Sequence, residues 1–122
     1  KLRHMHTPLP AFDLGVLDLA GARAANYLHN IRARSVAPSP AAVADLARFD
    51  EPLPEEPSDA CQVLDLLDRI GSPGTVANAG GRYFGFVNGG AHHVSLAASW
   101  ITSAWDQNSA LRIQSPVGVT LE

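Results

Sequence analysis

The sequence predicts a mainly α-helical chain, with three main helices and one short extended aromatic segment. Three observations carry that prediction. Residues 13–33 place apolar or small side chains at helical spacing. Ser58 opens the run DACQVLDLLDRIG, which has an apolar stripe and a glycine stop. The stretch from about His93 to Asn108 is apolar or small almost all round.

In the first helix Val16, Ala20, Ala24, Tyr27 or Leu28, and Ile31 form one face, while Asp18, Asn26, Asn30 and Arg32 fall mostly off it. Gly15 and Gly21 weaken the helix without breaking the pattern. One long amphipathic helix with a single buried face is expected. Residues 35–57 follow with five prolines and room for a short helix from about Ala41 to Arg48. The rest of that stretch is expected to be extended, because proline and the residue before it both avoid the helical region. So long a connection suits a strap laid across a neighbouring surface, and its composition fits a solvated linker equally well.

Ser58 is the expected cap of the next helix. Val63, Leu64, Leu67 and Ile70 are its buried stripe, Gln62, Asp65, Asp68 and Arg69 face water, and Gly71 with Pro73 ends it. Glycine and asparagine then make a loop to Gly81. Tyr83-Phe84-Gly85-Phe86-Val87 has high strand propensity and is broken by Asn88-Gly89-Gly90. In the last full helix Val94, Ala97, Ala98, Ile101, Ala104 and Trp105 share a face, with Leu96, Trp100 and small serines opposite. A helix of that kind is buried on most sides, and two other substantial helices can hardly bury it. Oligomerisation or a further domain is therefore expected. Ser115-Pro116 signals one more helix start, and Glu122 falls within its first two turns. So short a helix does not sustain itself, so further polypeptide is expected to complete it.

A hydrophobic content of 46% against 17% charged residues excludes a disordered, charge-rich tail. The net charge of −3 and scattered arginines give no basic stripe for nucleic acid. Cys61 is the single cysteine, which rules out an internal disulfide and points to a reducing, cytoplasmic compartment. No apolar run is long enough to span a bilayer, and residues 1–10 read as a tail without a secretory core, Lys1–His4 being a candidate tag remnant ahead of Met5.

Several groups could carry chemistry. Gly89-Gly90 ahead of a helix could present N–H groups to an anion, although a plain turn explains two glycines as well. His92 and His93, if both helical, point a quarter-turn or more apart and do not share a metal; with no CxxC or HExxH, no metal site is expected. One of them stacking on a ligand competes with an ordinary surface or capping histidine. Asp106 sits where a helix dipole disfavours it and calls for a partner such as Arg112. The aromatics Tyr83, Phe84, Phe86, Trp100 and Trp105 read as core, or as an apolar ligand wall anchored by the Asp106-Gln107-Asn108 cluster.

The order RYFGFVNGG, AASWITSAWDQN, SPVGVTLE resembles the N-terminal region of pyridoxal-phosphate-dependent amino-acid decarboxylases, the aromatic-amino-acid and glutamate decarboxylase-like group of the aspartate-aminotransferase fold. The corresponding pieces are Tyr83-Phe84-Gly85-Phe86, Asn88-Gly89-Gly90, Ala98-Ser99-Trp100-Ile101 with Asp106-Gln107-Asn108, and Ser115-Pro116 with Glu122. The resemblance is strong from Arg82 to Glu122 and looser before. It implies the N-terminal part of an α/β fold type I enzyme. Residues 11–80, with the strap 35–57, would be a helical dimerisation segment embracing a second subunit. Residues 81–122 would line the substrate pocket and begin the large domain.

Tyr83, Phe84, Phe86, Val87, Asn88, His92 and Asn108 are the pocket-lining residues so implied. The chain departs from the family at Asn88, where a proline is common, and at Gly81-Arg82, where His-Pro is common. Phe86 stands at a position often tyrosine in members acting on aromatic substrates. The resemblance implies pyridoxal phosphate in the complete protein. It also implies a homodimer, a missing catalytic domain as partner and a small amino-acid substrate, with no role for nucleic acid or membrane. The Schiff-base chemistry needs a lysine, and Lys1, the sole lysine, matches no family motif. No catalytic or cofactor-binding residue is therefore expected in these 122 residues, and the piece alone is expected to be inactive without bound cofactor. Another fold type I lyase or aminotransferase, and a stand-alone helical interaction module, are the competing expectations.

Overall fold

The structure, a computed structural model, describes residues 12–108 and 110–121. It is mainly helical and contains no strand among those residues. The chain divides into two compact units, one ending at Gly85 and one beginning at Phe86. The tail 1–10, with Lys1 and His4, lies outside the described residues.

In the first unit, α1 runs Leu14–His29 and α2 runs Pro40–Asp45, continued by a 3-10 turn over Leu46–Phe49. Then α3 runs Ala60–Leu66, followed by a π turn over Leu67–Gly71 and a 3-10 turn over Ser72–Gly74. The stripe of α1 is as the spacing predicts: Val16, Ala20, Ala24, Tyr27, Leu28 and Ile31 are all half-buried, and Asp18, Asn26, Asn30 and Arg32 are exposed. The helix is shorter than expected. The backbone N–H and the side-chain amide of Asn30 both bond to the Asn26 carbonyl, which closes α1 and leaves residues 30–33 in tight turns.

The second helix differs more. Asp59, not Ser58, is the cap, its carboxylate accepting from the Gln62 N–H at 2.9 Å. The stripe is also displaced: Ile70 is buried, Leu64 and Leu66 are half-buried, and Val63 and Leu67 are exposed. Val63 and Leu66 depart from the expected stripe within regular helix, and the wider ring of the π turn then changes the 3.6-residue register over Leu67–Gly71. Nor does Gly71 end the run. The chain winds on to Gly74, with Pro73 near the 3-10 start, where its missing N–H costs nothing.

Apolar burial is sparse. Ile70 and Ala77 are the buried apolar side chains among the described residues. Burying Ile70 contributes about 2 to 3 kcal/mol, too little to order this unit. The half-buried apolar stripe of α1 adds to it, and polar contacts join the pieces. Arg23 on α1 donates to the Leu64 carbonyl and to Asp65, both at 3.1 Å, and reaches Asp68 at 3.5 Å; Asp65 faces water as expected while pairing with α1, and Asp68 is half-buried. The Arg34 guanidinium lies 4.6 Å from the centroid of the Tyr27 ring and donates to the Ser72 carbonyl. The Tyr27 hydroxyl meets that of Thr75 at 2.8 Å. Arg82 donates to the carbonyls of Arg32 and Arg34, and the Ala77 N–H to the Val36 carbonyl.

In the second unit, α4 runs His93–Trp105 and α5 runs Pro116–Leu121. The Ser115-Pro116 signal is realised: Ser115 is fully buried and its Oγ accepts from the Gly118 N–H at 3.0 Å. The same Ser-Pro device starts α2, where Ser39 caps Ala42 at 3.1 Å. No helix among the described residues is long and apolar enough to cross a membrane.

Two outcomes follow from these contacts. Ser115→Ala removes the cap of α5 and should cost about 1 kcal/mol of local stability, read as faster amide exchange at Gly118 with α4 unchanged. Arg23→Ala should lower the urea midpoint by the equivalent of about 1 kcal/mol. The Asp65 carboxyl is held below its ordinary value of 3.8, chiefly by the hydrogen bond from Arg23, with Arg69 adding to it and desolvation opposing it. Its contribution is therefore complete above the ordinary carboxylate value and is lost as pH falls through the lowered one. Acid titration of wild type against Asp65→Asn should show that loss only in wild type.

Candidate functional site

The residues singled out by the sequence fall into both units. Tyr83 and Phe84 close the first; Phe86, Val87, Asn88, His92 and Asn108 belong to the second.

Tyr83 is half-buried, its N–H donating to the Gly80 carbonyl, whereas Phe84 is 93% exposed. The expected extended segment is absent. Phe86 and Val87 have φ of 52° and 59° and form a left-handed turn in place of a strand. A lone strand with no neighbour has nothing to pair its backbone, so propensity does not decide its conformation. The turn costs roughly 1 to 2 kcal/mol per residue, most unfavourably at β-branched Val87. Phe86 is 94% exposed and Val87 wholly so, so neither side chain lines a cavity among the described residues.

His92 is the extended residue preceding α4 and makes no side-chain capping bond. That extended backbone brings its ring onto His93, centroids 4.4 Å apart, correcting the expected quarter-turn separation of two helical histidines. The group of three or more ligating side chains that a metal needs does not occur among the described residues.

Asn108 lies beyond the other end of α4, whose 13 residues span about 20 Å at 1.5 Å each. The helix stops at Trp105, three residues before the expected end, because Asp106 turns left-handed at φ 48°. The Gln107 amide donates to the Trp105 carbonyl at 2.8 Å, and the Asn108 Oδ1 accepts from the Ala110 N–H at 3.0 Å. All three polar residues thus end the helix and start the next turn. Asp106 has no ion-pair partner among the described residues, so the expected pairing with Arg112 is not formed.

The most distinctive surface is α4 itself. Val94, Trp100, Ile101 and Trp105 are 60%, 49%, 52% and 48% exposed, and no residue of the helix is buried. Two of its four hydroxyls are turned inward on the backbone: Ser99 Oγ donates to the Ser95 carbonyl at 3.0 Å, and Thr102 Oγ1 is 3.1 Å from those of Ala98 and Ser99. With those polar groups satisfied internally, the helix presents a surface that gains free energy when covered. The sequence anticipates the apolar character of α4, but not that two of its hydroxyls pair locally.

No family model, no curated protein and no solved structure matches the chain.

The exposure of α4 has a direct optical consequence. Trp100 and Trp105 should emit at water-like wavelengths and be readily quenched by acrylamide in the isolated chain. A blue-shifted, quench-resistant emission would mean that the helix is covered in solution.

Proposed function

We propose that the chain is the N-terminal dimerisation and substrate-pocket segment of a pyridoxal-phosphate-dependent enzyme that decarboxylates an amino acid. The observation that carries this reading is the unburied apolar helix α4, flanked by an exposed aromatic turn at one end and a polar helix stop at the other. A second subunit and a catalytic domain would cover the helix, with Phe86, Val87, Asn88 and His92 meeting substrate at one margin and Asn108, about 20 Å away along α4, near the wall that the dimer contributes. The ordered resemblance from Arg82 to Glu122 supports the choice of family.

The described residues do not themselves fit the cofactor. None is a lysine, so none can supply the amine that tethers an aldehyde. This part of the protein would bury surface and position substrate, and the carbon–carbon cleavage would belong to polypeptide elsewhere. A helical interaction module without catalysis is the second reading, favoured by the lack of any amine, metal group or nucleophile–base pair among the described residues.

The complete gene product separates the two. Purified with pyridoxal phosphate, it should show the visible-edge band of a bound aldimine and release CO2 from one or more amino acids in a substrate panel. Phe86→Ala and Asn108→Ala should each raise KM more than they lower kcat. A colourless product that releases no CO2 defeats the enzyme reading. Amino-group transfer without CO2 release would place the protein among the aminotransferases.

A further inference from the structure

Asn88-Gly89 is the one asparagine–glycine pair in the chain. It lies in residues 88–92, which lead from the left-handed turn at Phe86 and Val87 to α4 without helix or turn of their own. Both residues are exposed, and the Gly89 N–H donates no hydrogen bond among the described residues. A Cβ built on Gly89 would meet nothing within 4 Å, so the space beside its Cα is open. The other asparagines are placed differently. Asn26 and Asn30 bond to one another at 3.0 Å. The N–H after Asn26 belongs to the α1 ladder, and that of Ile31 donates to the Leu28 carbonyl at 3.3 Å. Asn108 holds its Oδ1 on the Ala110 N–H at 3.0 Å. Asn78 and Asn108 are followed by alanine and serine, whose Cβ hinders attack by the backbone nitrogen that they carry.

We propose that Asn88 is a site of spontaneous, non-enzymatic deamidation. Glycine leaves the chain free to bring its nitrogen against the asparagine side chain, since no Cβ restricts its dihedrals. The Gly89 nitrogen loses its proton to base and attacks Cγ of Asn88. The new N–Cγ bond forms as the Cγ–Nδ2 bond breaks, ammonia leaves, and a succinimide ring results. Water then opens the ring at either carbonyl. Breaking the N–Cγ bond gives aspartate, and breaking the original peptide bond gives isoaspartate, whose main chain runs through the side chain. No oxidant, metal or cofactor takes part. Either product replaces an amide that both donates and accepts with an acceptor-only carboxylate, adding one negative charge to the formal −3. Isoaspartate also adds a methylene to the main chain and so changes the spacing between Val87 and α4. On the enzyme reading this puts an anion where neutral Asn88 would meet substrate, but the deamidation itself rests on the loop alone.

Gly89→Ala is the decisive variant, because the open space takes a methyl group and Gly89 is not at a positive φ. The purified 122-residue chain and this variant are aged at neutral and mildly alkaline pH and then digested with trypsin. Cleavage after Arg82 and Arg112 releases residues 83–112, in which fragment masses separate Asn88 from Asn108. Isoaspartate is counted with a protein isoaspartate methyltransferase used as a reagent. Wild type is expected to accumulate both aspartate and isoaspartate at position 88, faster at the higher pH and ahead of Asn26, Asn30, Asn78 and Asn108. Gly89→Ala should slow that conversion on the order of tenfold, with far-UV circular dichroism unchanged. Aspartate as the sole product, a rate no greater than at Asn78, or an equal rate in Gly89→Ala would overturn the assignment.

Discussion

Three guanidinium groups do for residues 12–85 what an apolar core does for most domains. Arg23 ties α1 to α3, Arg34 stacks on Tyr27 and reaches the Ser72 carbonyl, and Arg82 gathers the carbonyls of Arg32 and Arg34. Apolar burial beside them is shallow, the α1 stripe being half-buried and Ile70 and Ala77 the buried apolar side chains among the described residues. Arginine suits the task because its planar fork serves several acceptors at once while its face lies on an aromatic ring. The pairs to Asp65 and Asp68 are partly exposed and therefore weak and screened by salt. The bonds from Arg82 satisfy the carbonyls of Arg32 and Arg34 in the turns after α1, whereas the Leu64 and Ser72 carbonyls accept from arginine in addition to a backbone N–H. This unit is consequently specified more by direction than by buried area.

The second unit has the opposite character. Its ends are well made, with a buried serine cap on α5 and a left-handed stop on α4, yet the helix between them buries nothing. Local capping fixes where a helix starts and stops, whereas stability comes mostly from what its apolar face meets. Tryptophan is costly to leave in water and productive at interfaces. Two of them on an uncovered helix, together with hydroxyls folded back on the backbone, make association the physical expectation for this region.

Local signals were legible, and signals that depend on distant residues were not. The stripe of α1 and the Ser115-Pro116 start were readable because each rests on side chains within one or two turns. The displaced stripe of α3 was not: Val63 and Leu66 depart from it within regular helix, and the π turn at Leu67–Gly71 then changes the period from which it is deduced. The exposure of Asp65 was legible, whereas the pairing of Asp65 and Asp68 was not, because nothing within α3 reveals that Arg23 stands opposite. Of the candidate pocket residues, Asn108 had a local role that its neighbours could have disclosed, an Asx turn following a helix stop. The left-handed backbone at Phe86 and Val87 had no such signal, as both residue types argue against it.

By itself the sequence determined that the chain is helical, where most of its helices begin, and that its last full helix is apolar or small almost all round; the burial expected of that helix is not found, since none of its residues is buried. Those properties follow from spacing, caps and transfer free energies, which act residue by residue. The tertiary structure alone decided that arginines rather than aliphatic side chains join α1 to α3, that His92 stacks on His93, and that the aromatic segment turns instead of extending. Each of these depends on which groups meet in space, and a side chain's preference is overridden whenever a partner distant in sequence, or the lack of one, carries more free energy than the preference itself.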